Sequence, residues 1–442
     1  MNVSKNKIAS IAAAVALALA ASDAAFAQTA TASVDSVGDC GKPKWLNRLH
    51  VGGYGEAVFS RNFYSDRYLR YTDPASAKDE SHGRFDIPHF VVYLGYDFGK
   101  GWSMSSEIEF EHGGTESAIE IETEEAGEYE SEIERGGEVA LEQFWIQKTF
   151  MKALNLRVGM QVVPVGGTNA HHEPDQFFGV YRPEGENTIM PCTWHEVGVS
   201  LWGQAGNWKY QAMFLPGLDS ERFGNDSWIH DGSASPFEFK IANNYAFAGR
   251  VDNFSVPGLR LSLSGYVGNS FRNTLYNTSN PANDGIKGTV TIGSFDFAYK
   301  NEHVAARGYF DYGHLSDAAH ISKFNISMSK NSTSKRQAVA SDAVAMGVEA
   351  GYDIFSICHS PRLKGQKLYL FGRYDYYDSM YKTDGGISDL KWCKRQIVTV
   401  GLNWYPIKQV VFKGEYSNRM FSKPYNNEPS VSLAVAFSGW FL

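Results

Sequence analysis

The sequence predicts an all-β chain, a 16-stranded antiparallel transmembrane barrel, and three observations predict it. Apolar and polar residues alternate with a period of two in block after block. The connections between blocks alternate between short and long. Large aromatics collect at the short-connection ends. A period of two is the mark of a strand with two different faces. Short turns at one end and long loops at the other are what transmembrane barrels show.

The blocks fall at 48–62, 86–98, 101–111, 138–150, 154–163, 195–204, 207–216, 242–254, 258–269, 287–300, 302–314, 341–355, 366–378, 394–405, 408–421 and 429–441. Leu154, Leu156, Val158, Met160 and Val162 alternate with Asn155, Arg157, Gly159 and Gln161. Leu259, Leu261 and Leu263 alternate in the same way with Arg260, Ser262 and Ser264. A narrow apolar face opposite charges fits lipid outside and water inside. Phe98, Trp102, Phe150, Trp208, Phe254, Trp404, Tyr405 and Phe441 lie at the short-turn ends, where amphipathic rings settle at headgroup depth. No helix is expected after the N-terminal segment.

That segment reads as an address. Lys5 and Lys7 precede the apolar run Ile8 to Ala20, and Ala25-Phe26-Ala27 gives a small-x-small cleavage site. The expected organisation is a signal peptide at 1–27, a periplasmic segment at 28–47 and the barrel at 48–442. The chain has 442 residues, with 41 Lys and Arg against 49 Asp and Glu, so a basic nucleic-acid footprint is excluded. Four cysteines are too few for a disulfide scaffold. Topology puts Cys40 and Cys358 on the periplasmic side and Cys192 and Cys393 outside, which allows only Cys40–Cys358 and Cys192–Cys393 as bridges.

Strand parity sorts the charges. Arg157, Lys209, Arg250, Arg260, Arg307, Arg373, Lys413 and Arg419 fall on the lumenal side, as do Glu56, Glu107, Glu109, Glu111, Glu196, Asp252, Asp311, Glu349, Asp375 and Glu415. A mixed lumen need not concentrate anions as a positive cleft would. Glu107, Glu109 and Glu111 share one strand face and need partners such as Arg157. They read either as one wall of a transverse field or as paired charges that keep the wall hydrated. The loop from Glu116 to Glu138 carries ten glutamates and reads as a hairpin turning near Glu125 to Glu128, a solvated arm or an anion-repelling rim.

Two stretches carry a resemblance. Glu107-Ile108-Glu109-Phe110-Glu111-His112-Gly113-Gly114 is followed by Gly136-Gly137-Glu138-Val139-Ala140-Leu141-Glu142-Gln143. Val163-Pro164-Val165-Gly166 leads through Asn169-Ala170-His171-His172-Glu173-Pro174 to Thr193-Trp194-His195-Glu196-Val197-Gly198-Val199. Together they resemble the phosphate-selective porin O and P family in its Bacteroidetes branch. The resemblance implies an outer-membrane channel, commonly a homotrimer, whose third long loop folds inward. On this chain that loop is about 166–194, with His171, His172, Glu173, Asp175 and Arg182 at the constriction.

Adjacent His171 and His172 point apart and show no distal partner, so no metal is expected there, nor any cofactor. No nucleophile motif or phosphate-cradling loop points to an enzyme. The expected function is passive diffusion of small hydrophilic solutes, including phosphate and other anions. The alternatives are a general or weakly cation-selective porin and a closed barrel that acts in adhesion or binding through its loops. Expected partners are outer-membrane lipid and the barrel-assembly machinery.

Overall fold

The computed structural model describes residues 45–75, 81–113, 120–123, 129–132, 137–235, 239–274, 281–328, 336–358 and 360–442. The expected signal peptide, Cys40 and the tip of the acidic arm lie outside them. The barrel forms one unit, Arg48–Leu442.

Its strands are β1 (Leu49–Asn62), β2 (His82–Asp86), β3 (His89–Gly99), β4 (Trp102–Glu111), β5 (Glu120–Thr123), β6 (Tyr129–Glu132), β7 (Glu138–Met151), β8 (Leu154–Val162), β9 (His195–Ala205), β10 (Trp208–Pro216), β11 (Tyr245–Asn253), β12 (Leu259–Asn269), β13 (Thr289–Lys300), β14 (Val304–Leu315), β15 (Asp342–Asp353), β16 (Lys367–Lys382), β17 (Lys394–Ile407), β18 (Val410–Met420) and β19 (Glu428–Trp440). β2 and β3 form one crossing, both paired to β1 and interrupted at Ile87-Pro88, where proline removes a ladder donor. β5 and β6 pair only with each other, which bears out the hairpin in the acidic loop. With β2 and β3 counted as one, the crossings number sixteen, each antiparallel to its neighbours, and β1 closes on β19 from Gly52↔Trp440 to Asn62↔Ser430. Closure removes every sheet edge, which backbone in lipid requires.

Alternation governs both faces. Along β15, Met346, Val348, Ala350 and Tyr352 are exposed while Gly347, Glu349 and Gly351 are buried. Outward side chains such as Leu263 (65% exposed) and Phe247 (61%) form the belt that meets lipid. Phe98, Trp102, Phe150, Trp208, Phe254 and Phe441 face outward at the short-turn ends. Tyr405 corrects the expected girdle: it shares the inner face with Asn403 and packs against Tyr369.

The interior holds more than water. Val163, Val165, Ile189, Met190 and Trp194 of the loop after β8 pack with Leu218, Phe223, Trp228 and Ile229 of the next long loop. Ala318 and Ile321 join them from a helix, α1 (Ala318–Met328), that the sequence reading did not expect. Its apolar residues face loops rather than a strand, so neither flank offered a period-two signal to extend.

Candidate functional site: a loop laid across the lumen

The loop leaves β8 at Val162 and returns at β9. Asn169 ties its two ends: its Nδ2 donates to the Val163 carbonyl (2.8 Å), and its Oδ1 accepts from the Trp194 N–H (2.5 Å). The turn Gly167–Asn169 points three backbone N–H groups at one carboxylate, that of Glu186, at 2.8–3.0 Å. Such a nest favours an anion, and the chain supplies its own. Burial nevertheless pushes the Glu186 carboxyl up to about 7, against these donors. Gly166 has φ 82°, and a Cβ there would stand 2.3 Å from Glu186 Oε1, so glycine is required.

Beyond His172 the loop runs along the opposite wall and is pinned there by strand side chains. Arg307 donates to the Gln176 carbonyl (2.6 Å), and Lys413 to the Phe177 and Gly179 carbonyls (3.0 and 2.7 Å). Asn403 donates to the Phe178 carbonyl (2.8 Å), and Arg373 to that of Tyr181 (2.9 Å). Carboxylates take the amides: Glu349 accepts from Phe178 N (3.1 Å) and Glu415 from Val180 N (2.7 Å). A Cβ on Gly179 would lie 2.2 Å from Arg373 Nη1, so only glycine lets the guanidinium this close. A short helix, α2 (Glu184–Ile189), follows, and Glu184 meets Arg395 (3.0 Å), Arg419 (2.5 Å) and the Tyr377 hydroxyl (2.6 Å). Burial raises the Glu184 carboxyl, but Arg419 and Arg395 outweigh it and hold the group at about 2.

Most of the remaining inward charges are paired on the wall. Arg250 and Arg260 share Asp296, each at 2.8 Å, and Arg250 also meets Asp252 (2.8 Å) and the Gly166 carbonyl (2.7 Å). Arg307 meets Glu349 (2.9 Å), and Arg373 meets Asp375 (3.0 Å). Glu196 meets Lys240 (2.9 Å), and Glu109 meets His89 (2.7 Å), with Glu56 3.9 Å from the same ring. Asp311 is fully buried, and Glu111 is half-buried at the strand end. Lys209 shares the inner face with Asp252 but sits exposed at the rim.

In the loop, Glu173 accepts from Ser438 (2.6 Å), and Arg182 donates to the His172 carbonyl (3.2 Å) and Thr193 (3.3 Å). His171 and Asp175 line a cavity of about 560 Å³ with Arg260, Lys300, Arg307, Lys367 and Lys408. Lys300, Lys367 and Lys408 belong to the short-turn end, so the cavity opens below the loop.

Two expectations are corrected. Arg157 does not offset the glutamates of β4; it donates to Gln147 (3.1 Å) and lies 4.0 Å over the Trp145 ring. Cys192 and Cys393 are free thiols. Sequence reasoning also missed Glu142, Asp296, Lys240 and Arg395. Asp296 was legible by parity between Phe295 and Phe297. Glu142 was not: Glu107 pairs with Gln143 and Ile108 with Leu141, so a bulge turns two successive residues inward.

No family model matches the chain. An uncharacterized protein of Aquifex aeolicus (strain VF5) is 25% identical over 389 residues, 86% of this chain and 78% of that protein. Among solved structures, the anion-selective porin from Comamonas acidovorans superposes with TM-score 0.52 at 9% identity, over 88% of this chain and 99% of that one. OmpF of Salmonella typhi in complex with daunomycin superposes with TM-score 0.50 at 10% identity, over 88% and 97%. At these identities the likeness is one of fold. Closed, belted with apolar side chains and crossing sixteen times, the chain is an outer-membrane β-barrel.

Proposed function

We propose that this barrel is a passive diffusion channel for small hydrophilic solutes, with the loop at 166–194 as its constriction. The observation that carries the reading is the row of contacts from Arg307, Lys413, Asn403, Arg373, Glu349 and Glu415 to the loop backbone. A loop held this way narrows a polar lumen without closing it by chance motion, and selection then follows from width and wall charge. Among solutes, we favour anions, phosphate included. The cavity below the loop sets Arg260, Lys300, Arg307, Lys367 and Lys408 against Asp175 and Glu349, an arrangement that focuses a positive field. Removal of residues 1–27 on export, insertion by the barrel-assembly machinery and assembly as a homotrimer complete the proposal.

The test is the reversal potential across a planar bilayer under a KCl gradient, repeated with phosphate in place of chloride. Anion preference with phosphate blocking chloride current is expected; cation preference would reject the anion reading. The apolar core inside the barrel favours a second reading, a barrel whose loops bind and whose lumen conducts nothing. Absence of any leak conductance would select it.

A further inference from the structure

Where the loop passes β4 and β7, three side chains converge without bonding to one another. Glu107 from β4, Glu142 from the bulge in β7 and His172 from the loop each bring one potential ligand atom within 4.8 Å of the others. All three are buried, and His172 Nε2, Glu107 Oε1 and Glu142 Oε2 have no hydrogen-bond partner. The gap from His172 Nε2 to Glu107 Oε1 is 3.9 Å, too long for a hydrogen bond. Two ligands that share one cation at about 2.1 Å each stand at most about 4.2 Å apart, so the gap is within reach of a single ion.

The supporting contacts fit the same reading. His172 Nδ1 lies 3.0 Å from the Asn169 carbonyl oxygen, so Nδ1–H donates and the Nε2 lone pair is left facing the carboxylates. That is how a metal-binding imidazole is usually oriented. Glu107 Oε2 accepts from Gln143, which fixes the carboxylate and leaves Oε1 free. The neighbouring group His89, Glu109 and Glu111 behaves differently, because His89 Nδ1 already bonds Glu109 at 2.7 Å. Buried carboxylates beside an unbonded imidazole are costly unless a proton or a metal cation lies between them.

We propose that Glu107, Glu142 and His172 bind one divalent first-row metal ion, Zn²⁺ or Mn²⁺, which ties the inward loop to the wall. The imidazole nitrogen favours these over Ca²⁺ or Mg²⁺, and the two carboxylates balance the charge. Arg182, on the His172 carbonyl, and His195, whose Nδ1 lies 4.0 Å from Glu142 Oε1, are nearby bases, and Glu109 on the same face of β4 adds a further negative charge. The site stands independently of the channel reading; only its consequence, a locked constriction, rests on it.

The experiment uses the purified barrel in detergent, stripped with chelator, reloaded with Zn²⁺ and assayed for metal content, with Co²⁺ absorption as a second readout. One equivalent per chain is expected, with a visible Co²⁺ band. His172→Ala and Glu142→Gln should each weaken binding at least ~10-fold, since loss of even a supporting contact costs that much. Glu173→Gln, whose carboxylate bonds Ser438 instead, should bind as the parent does. Heat-modifiable gel migration checks that each variant is folded. No uptake by the parent, or equal uptake by all four proteins, would overturn the site. Conductance is measured separately: a barrel that conducts but binds no zinc defeats this inference alone.

Discussion

The two halves of the inward loop are held by different physics. Val163–Asn169 and Glu186–Trp194 close on themselves through Asn169 and Glu186 and pack into an apolar cluster with Trp228 and Ile229. The stretch from Gln176 to Glu184 makes smaller apolar contacts, Phe178 against Tyr369 and Phe371 and Val180 against Val58 and Ala434, and is held in addition by charges projecting from β14 to β18. The first half is held by burial, which salt scarcely touches. The second depends on ionised groups, each of which must replace the water it loses with a bonded partner. A channel built this way has a fixed root and a chemically adjustable span.

The largest expected effect lies in the cluster that packs against the fixed half. Trp228 is fully buried, and its Nε1 donates to the Ala340 carbonyl (3.1 Å). Trp228→Ala should cost about 3–5 kcal/mol in urea unfolding. A change below 1 kcal/mol, on the order of a surface substitution, would mean that the cluster is not a core. Next comes Lys413→Met, which leaves the Phe177 and Gly179 carbonyls unpaired at about 1–3 kcal/mol each. Limited proteolysis should then cut within 176–184 at a rate at least ~10-fold higher, about the factor that 1.4 kcal/mol gives.

The halves should also separate by pH. Glu184, held down to about 2, contributes stability that is present above the ordinary carboxylate value and lost as pH falls through about 2. Glu186, pushed up to about 7, works the other way: its contribution is fully present below the ordinary carboxylate value and is lost as pH rises from there through about 7. Proteolysis of the loop should therefore be slowest near the ordinary carboxylate value of about 4.5, and faster on either side, towards 2 and towards 7. Monotonic behaviour from pH 3 to 8 would contradict the division. The smallest effect is at the rim, where Lys209 is exposed. Lys209→Gln should leave stability within about 0.5 kcal/mol.

Legibility in the sequence follows the range of the interaction that sets each feature. The strands were legible because alternation is local, and Pro88 alone split a crossing in two. The lumenal side of Arg250, Arg373 and Lys413 followed from parity, but what they bind did not. Their partners are backbone atoms of a loop up to 236 residues away in sequence. Glu142 was hidden by one bulge, because a single extra residue reverses parity beyond it. Nothing around His172 in the sequence points to Glu107 and Glu142, because β4 and β7 bring them to the loop only in the closed barrel. α1 escaped because its apolar positions answer to loops that only the closed barrel brings together.

The central claim is that wall charges hold the loop as the constriction. Unitary conductance of the parent and of Arg373→Met/Lys413→Met in planar bilayers tests it most directly. Loss of three carbonyl anchors should release the span, giving a larger and noisier unitary conductance with weaker ion selectivity. Conductance and selectivity equal to the parent's, in a variant that folds normally, would contradict the account.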